Sequence, residues 1–142
     1  MKVKEVMTPK VIRISPEETA AVAARTLTHY NIGVLPVCDD NGKLCGILTD
    51  RDVVTRCVAS NRMAEQMSVE DIMTARIVSA HPAMDVSAAA HLMSREQVRR
   101  LPVLEGERLC GMVSVGDLAC REDSSYEAAE ALEGICSNLN QK

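Results

Sequence analysis

Aromatic residues are almost missing from this chain of 142 residues, which has two tyrosines, Tyr30 and Tyr126, and no phenylalanine or tryptophan. A hydrophobic core must therefore be built from Val, Ile, Leu, Met and Ala. The aromatic platforms on which single-stranded nucleic acids stack are also lacking. The formal net charge of −4 gives no positive field to attract nucleic acid or anionic lipid. An anionic ligand would have to be held by a local cluster of charges.

Long apolar runs are absent as well. No stretch approaches the roughly 18 residues needed to span a bilayer. The N-terminal MKVKEVMTPK lacks the apolar segment of a secretory signal. We expect a soluble cytoplasmic protein that binds neither membrane nor nucleic acid.

The sequence offers little for metal binding or catalysis. Its six cysteines form no C-x-x-C, and its three histidines show no spacing typical of metal ligands. We expect no metal site, and reduced thiols that pack as small hydrophobic side chains. There is no G-x-S-x-G, no Walker-type phosphate loop and no G-x-G-x-x-G. We therefore expect no enzymatic activity, no catalytic residues and no cofactor.

What the chain does contain is a repeat. VKEVMT (residues 3–8) returns as VEDIMT (69–74), LPV (35–37) returns at 101–103, and LCGIL (44–48) returns as LCGMV (109–113). The offset is 66 residues up to LPV and 65 after it, and Arg56 recurs as Arg121. Two copies indicate a pseudo-symmetric pair rather than a solenoid. We assign residues 1–62 to the first repeat, 63–123 to the second and 124–142 to a C-terminal helical tail.

Each repeat predicts the order strand, helix, strand, strand, helix. The first strands are residues 11–14 and 77–80, and SPEE predicts a helix capped by Ser15 that ends near Asn31. DDNGK and EGER are typical of hairpin turns. A second helix is predicted over about 50–59, with its buried face formed by Val53, Val54, Cys57 and Val58.

The tail predicts an amphipathic helix capped by Ser124. The apolar side of this helix could cover the module's own sheet or a partner chain. Its apolar stripe consists of Ala128, Ala131, Leu132 and Ile135.

The stretch LTDRDVV places Thr49 and Asp52 three residues apart at the start of a helix. This spacing is typical of a helix cap, in which hydroxyl and carboxylate bind backbone N–H groups. It also suits a ligand site, because a helix start attracts phosphate. The same pair recurs as Ser114 and Asp117, which favours the ligand site without excluding the cap.

Taken together, VMT…SP, IGVLPV and GILTDRD, with their echoes IMT…HP, VRRLPV and GMVSVGD, resemble a pair of CBS domains. This pair, also called a Bateman module, is matched over about residues 3–121. The chain is most similar to small stand-alone bacterial proteins of this type. The resemblance implies an α/β (α+β) fold: tandem CBS domains, as two pseudo-symmetric β-α-β-β-α repeats packed sheet to sheet. It also implies two clefts, a homodimer joined through helices and, in many members, binding of AMP, ADP, ATP or S-adenosylmethionine.

The family's Ser/Thr-x-x-Asp ribose site falls on Thr49 with Asp52 and on Ser114 with Asp117. A carboxylate can accept both hydroxyls of a ribose, and arginine suits the phosphate. The arginines differ between copies, since the second has Gly116 in place of Arg51. The second copy alone has Arg99 and Arg100 before LPV. The resemblance implies an adenine slot formed by Ile12, Ile14, Val34 and Pro36 in one copy and by Val78, Ala80 and Pro102 in the other.

The resulting hypothesis is a regulatory protein that senses an adenosine-containing small molecule and transmits the signal to an unidentified protein partner by a change of conformation. The alternative is a ligand-free dimerisation or scaffold module with vestigial clefts. The unequal arginines of the two copies keep this alternative open.

Overall fold

The computed structural model describes residues 1–137, so the end of the predicted tail, residues 138–142, lies outside the described residues. The chain divides into two compact units. The inserted unit is Ile12–Ile77, and the split unit combines Met1–Val11 with the chain from Val78 onward. Each unit contains one two-stranded antiparallel sheet together with helices. The predicted mixed α/β class is confirmed.

The helices and strands occur in the same order in both repeats, and each repeat begins with a short helix that the sequence patterns do not predict. A π-helical turn, Val54–Val58, continues α3, and short 3-10 turns lie at Ala64–Gln66 and Glu122–Ser124. In chain order the elements are α1 (Val3–Val6), α2 (Ala20–Tyr30), β1 (Val34–Cys38), β2 (Leu44–Thr49), α3 (Asp50–Val53), α4 (Val69–Ile72), α5 (Val86–Glu96), β3 (Arg100–Glu105), β4 (Arg108–Ser114), α6 (Val115–Ala119) and α7 (Ser125–Cys136).

Each unit contains the opening segment of the other repeat. In the split unit Thr8 and Met112 exchange two backbone hydrogen bonds of 2.8 and 3.0 Å. In the inserted unit Thr74 and Ile47 do the same, at 2.9 and 3.0 Å. The Met-Thr segment of one repeat thus pairs with the hairpin of the other. The repeat boundaries near residue 62 therefore divide the sequence, whereas the compact units are divided near residues 11 and 77.

Glycine in the repeated Cys-Gly pair makes this pairing possible. A Cβ atom on Gly46 would lie 2.7 Å from Met73 Sδ and 2.8 Å from the Thr74 carbonyl oxygen. A Cβ atom on Gly111 would lie 2.7 Å from the Thr8 carbonyl oxygen. Any larger residue would push the opening segment off the hairpin. The close approach of the two segments therefore requires glycine at both positions.

The first predicted strand of each repeat is wrong as an extended element, because it is reduced to a single parallel bridge. These bridges join Ile14 to Val37 and Ala80 to Val103. Ile14 N–H donates to the Pro36 carbonyl at 3.0 Å, and Cys38 N–H donates to the Ile14 carbonyl at 2.9 Å. The next bond of a parallel ladder would need an N–H on Pro36, which proline lacks.

The first long helix starts later than predicted, because Thr19 rather than Ser15 is its N-cap. Thr19 Oγ1 accepts the Val22 N–H at 3.1 Å. The preceding carbonyls of Pro16 and Glu18 are already engaged by backbone N–H groups of the α4 segment, at 3.0 and 2.8 Å. The predicted end is confirmed, since α2 stops before residue 31, which has a positive φ of 52°.

The hairpins agree with prediction, with Gly42 and Gly106 at positive φ of 81° and 65° in their turns. The buried face of the second helix is only partly as predicted. Cys57 is fully buried, whereas Val54 and Val58 are 57% and 62% exposed. The switch from α3 to a π-helical turn changes the angle between successive side chains, so the pattern for an ideal α-helix does not hold.

The tail helix α7 packs against α5 and α6 of the split unit, its own unit, with Ala128 and Ala131 buried. Ser124 is the N-cap residue, as predicted, but it makes no side-chain capping bond, because its buried hydroxyl donates to the Leu118 carbonyl at 2.7 Å instead. Leu132 was expected in the buried stripe but is 46% exposed. No helix within residues 1–137 is both long enough and apolar enough to cross a membrane.

We predict that Gly46→Ala lowers the free energy of unfolding by about 1–3 kcal/mol, because the added methyl group overlaps a fixed backbone oxygen. Urea unfolding measures the change. Gly116→Ala is the control, since its nearest neighbour would be Ser114 Oγ at 3.5 Å. This control should match the wild type or be slightly more stable, because glycine is unfavourable in a helix. Equal stability of the two variants would contradict the role given to Gly46.

Candidate functional site

The inserted unit brings most of its predicted ligand residues to one end of its hairpin. Val34 pairs with Thr49 across the sheet, and Pro36 pairs with Ile47. Ile14 is buried and bonds the Pro36 carbonyl. This group, together with Ile12, Arg51 and Asp52, is called the first half-site below.

Thr49 and Asp52 form the reciprocal cap that their spacing predicts. Asp52 N–H donates to Thr49 Oγ1 at 3.1 Å, and Thr49 N–H donates to Asp52 Oδ2 at 3.0 Å. Asp52 is the one buried acidic residue of residues 1–137, with 9% of its surface exposed. The cap fixes the carboxylate through one oxygen, Oδ2, so the other oxygen, Oδ1, takes no part in the cap.

Arg56 holds this carboxylate from the other side. Its Nε lies 3.9 Å from Asp52 Oδ1, and its Nη1 donates to the carbonyls of Ile72 and Met73 at 3.2 and 2.8 Å. The arginine therefore links the first half-site to the end of α4. Sequence reasoning gave Arg56 no role, although its recurrence as Arg121 was the available signal.

Two predicted residues of the first half-site lie on the surface. Ile12 and Arg51 are both exposed. Within residues 1–137 the Arg51 guanidinium makes no ion pair, and its backbone N–H donates to Asp50 Oδ1 at 2.8 Å. Arg51 is thus an exposed cation that lies between two acidic residues in sequence, Asp50 and Asp52.

The split unit builds the second half-site in the same way. Ala80 N–H donates to the Pro102 carbonyl at 2.9 Å, and Arg100 pairs with Ser114 across the sheet. Val115 N–H donates to the Arg99 carbonyl at 2.9 Å, which holds that residue beside the start of α6. Ala80 and Pro102 are buried, Val78 is half-buried, and both arginines are exposed.

Ser114 and Asp117 repeat the reciprocal cap, with distances of 3.1 Å to Ser114 Oγ and 2.8 Å to Asp117 Oδ2. The arginine that corresponds to Arg56 behaves differently here. Arg121 Nη1 donates to the Glu5 carbonyl at 3.3 Å, and its Nε lies 3.7 Å from Asp123 Oδ1. Asp117 therefore has no ion pair in the part of the chain that the structure describes, and it is more exposed than Asp52.

The thiols nearest the sheets are uncharged at neutral pH. Burial raises the pKa of Cys38, and burial together with the charge of Glu105 raises the pKa of Cys110. All cysteines of residues 1–137 are free thiols, and no group of three or more His, Cys, Asp or Glu in that range is placed to hold a metal ion. Cys38 is buried in β1, whereas the half-buried Cys110 in β4 donates its S–H to the Val103 carbonyl at 3.2 Å.

Two shallow grooves lie on helices. One runs along α5 and the other along α2. Neither includes any of the predicted ligand residues. The lining residues are Met84, Ser87, Ala88, His91, Leu92 and Arg95 in the first and Ala24, Arg25, Thr28 and His29 in the second.

Comparison with known proteins gives a consistent picture. Residues 3–59 and 69–121 each match the family model described as CBS domain. The CBS domain-containing protein YhcV of Bacillus subtilis is 39% identical over 133 residues, covering 94% of this chain and 94% of YhcV.

Two solved structures are similar over most of their length. Hypoxic Response Protein I with two coordinated zinc ions has a TM-score of 0.78 at 29% identity, covering 84% of this chain and 98% of that one. The CBS domain pair of protein MJ0100, in complex with 5′-methylthioadenosine and S-adenosyl-L-methionine, has a TM-score of 0.74 at 30% identity, with the same two coverages.

We predict that Arg56→Gln destabilises the protein by about 1 kcal/mol, because it removes two hydrogen bonds to carbonyls and a neighbour of Asp52. Arg121→Gln is the matched variant, and its loss should be about 0.5 kcal/mol or less, since one longer bond and an exposed ion pair disappear. Thermal and urea unfolding measure both. A larger loss for Arg121→Gln would show that Arg56 does not hold α4 as described.

Proposed function

Since the chain belongs to the CBS-domain family, as a tandem pair of such domains, we propose that it binds an adenosine compound and regulates a partner protein. The ligand class is AMP, ADP, ATP or S-adenosylmethionine. The protein carries out no chemistry on the ligand, and binding itself is the signal. The cytoplasmic location and the lack of nucleic-acid and membrane partners stay predictions.

One observation carries this proposal, namely that the same hydroxyl and carboxylate recur in the same hydrogen-bonded geometry in both units. A helix cap alone explains one such pair. In both caps the second carboxylate oxygen, Oδ1, is left over, and a carboxylate held in place can accept ribose hydroxyls through strong charge-assisted hydrogen bonds. Capping therefore prepares the carboxylate for a ligand instead of competing with one.

The similarity to the MJ0100 pair supports the ligand class. That protein is 30% identical and was solved with 5′-methylthioadenosine and S-adenosyl-L-methionine. Both compounds contain adenosine, so their shared part is the ribose and adenine that the half-sites would recognise.

Ligand binding would act on a partner protein by changing the relative stability of two conformations of this protein. A ligand that binds one conformation more tightly shifts the population toward it, by no more than its difference in affinity. In the first half-site a ribose on Asp52 would meet Arg56, which also holds the carbonyls of Ile72 and Met73. This contact gives ligand binding a route to the segment that pairs with β2.

Calorimetric titration with AMP, ADP, ATP and S-adenosylmethionine tests the proposal. We expect at least one compound to bind with micromolar to low-millimolar affinity. Asp52→Ala and Asp117→Ala should each weaken binding at their own half-site by about tenfold or more, because a charge-assisted bond to the ribose is lost. Asp40→Ala, which removes an exposed carboxylate at the turn of the same hairpin, is the control and should bind like the wild type.

Two outcomes would contradict the proposal in different ways. If none of the compounds binds, the protein is not a sensor of adenosine ligands. If binding survives both substitutions unchanged, the ligand lies away from these carboxylates.

A second function, association as a homodimer or scaffold, is favoured by apolar side chains left on the surface. Val54 and Val58 are one helical turn apart in the inserted unit and more than half exposed, and Met63 is exposed nearby in sequence. Burying such side chains contributes about 1.5–3 kcal/mol each relative to full exposure. We propose that a second copy of the chain covers them.

We predict that Val54→Glu with Val58→Glu shifts the protein from dimer to monomer, because two charges would be buried in an apolar contact. Light scattering after size-exclusion chromatography measures the mass. The control is Thr55→Glu with Ala59→Glu, which adds the same charge at exposed neighbouring positions and should leave the dimer intact. A dimer that persists in the valine variant would place the contact on another surface.

A further inference from the structure

We infer that the two half-sites divide adenosine ligands by charge. The second half-site takes phosphorylated ligands such as ATP. The first takes ligands with little or no negative charge, such as adenosine or S-adenosylmethionine. This inference rests on the proposed function and assigns a different ligand to each site.

The second half-site carries two unpaired cations. Arg99 and Arg100 are exposed and make no ion pair within residues 1–137. The sheet register and the bond from Val115 N–H hold their backbones beside Ser114, at the start of α6. The next residues, Val115 and Gly116, are uncharged, so Asp117 is the one carboxylate of this half-site.

The first half-site has the opposite balance. Gly33 and Val34 stand where the second copy has its two arginines. Arg51 is the single uncommitted cation, and in sequence it lies between the acidic residues Asp50 and Asp52. Arg56 is already engaged by two carbonyls and by Asp52.

Other charges of the two hairpins lie at their far ends. Arg13 lies between Ile12 and Ile14 of the first half-site in sequence, and its side chain reaches toward the Cys38 thiol, whose partner across the sheet is Leu44, at the turn. Arg108 lies opposite Glu105 in the register of β3 and β4, beside the other turn. These residues leave the difference between the half-sites unchanged.

Electrostatics turns this difference into ligand preference. A phosphate group carries about −1.5 to −2 charges at neutral pH, so a phosphorylated ligand gains from two guanidinium groups and is repelled by two carboxylates. Adenosine lacks this charge, and the sulfonium of S-adenosylmethionine is a cation. Both suit a site where acidic groups outnumber free basic ones.

The experiment compares ATP with adenosine by calorimetry in the wild type, in Asp117→Ala and in Asp52→Ala. In the wild type we expect ATP to bind more tightly at the second half-site than at the first. Asp117→Ala should abolish this tighter binding, and Asp52→Ala should weaken adenosine binding. Arg99→Gln with Arg100→Gln should weaken ATP binding about tenfold at low salt and leave adenosine binding unchanged. The loss should shrink as salt rises, since these charges are exposed.

Two further variants keep the result interpretable. Arg99→Lys with Arg100→Lys retains the charge and should keep most of the ATP affinity, and Arg108→Gln is a control arginine of the same hairpin. Unchanged ATP affinity in the glutamine variant, or loss of ATP binding in Asp52→Ala instead, would overturn the division by charge while leaving an adenosine-binding protein. If the wild type binds none of AMP, ADP, ATP, adenosine and S-adenosylmethionine, the proposed function fails and the inference fails with it.

Discussion

The exchange of opening segments between the two repeats is the constraint on which the rest of the structure depends. Thr8 and Thr74 each pair with the hairpin of the other repeat, and glycine at Gly46 and Gly111 lets them approach. The same exchange binds the carbonyls before α2, which is why that helix starts at Ala20. A duplicated sequence has thereby become two units that each need both copies.

At Thr49 and Asp52 the structure shows a helix cap, and the ligand site that we propose there would coincide with it. A cap uses one carboxylate oxygen and stops the side chain from rotating, which lowers the entropy lost when a ligand binds. What distinguishes the two copies is their surroundings. Asp52 lies beside Arg56, whereas Asp117 makes no ion pair within residues 1–137 and has Arg100 of β3 opposite its capping partner Ser114.

Much of this could be predicted from the sequence, because the signals were local and occurred twice. The hairpins, the end of α2 and the hydroxyl–carboxylate pairs all follow from nearby residues. The predictions that failed concern residues whose partners are distant in the sequence or whose helix is not an ideal α-helix. Pro36 ended the first strand through a missing N–H in another strand, and Ser124 turned inward to Leu118 instead of capping its own helix. The role of Arg56 depends on carbonyls that only the folded chain brings to it.

The division of the chain also bears on the order in which the protein can fold during synthesis. All of the inserted unit has been made once residue 77 leaves the ribosome. The first eleven residues must wait longer, since Lys2 finds its partner Asp85 83 residues further on. Contacts of such long range are slow to form, so the earliest part of the chain is among the last to find its place. Until then its apolar residues, Val3 and Val6, are exposed to chaperones and to other nascent chains.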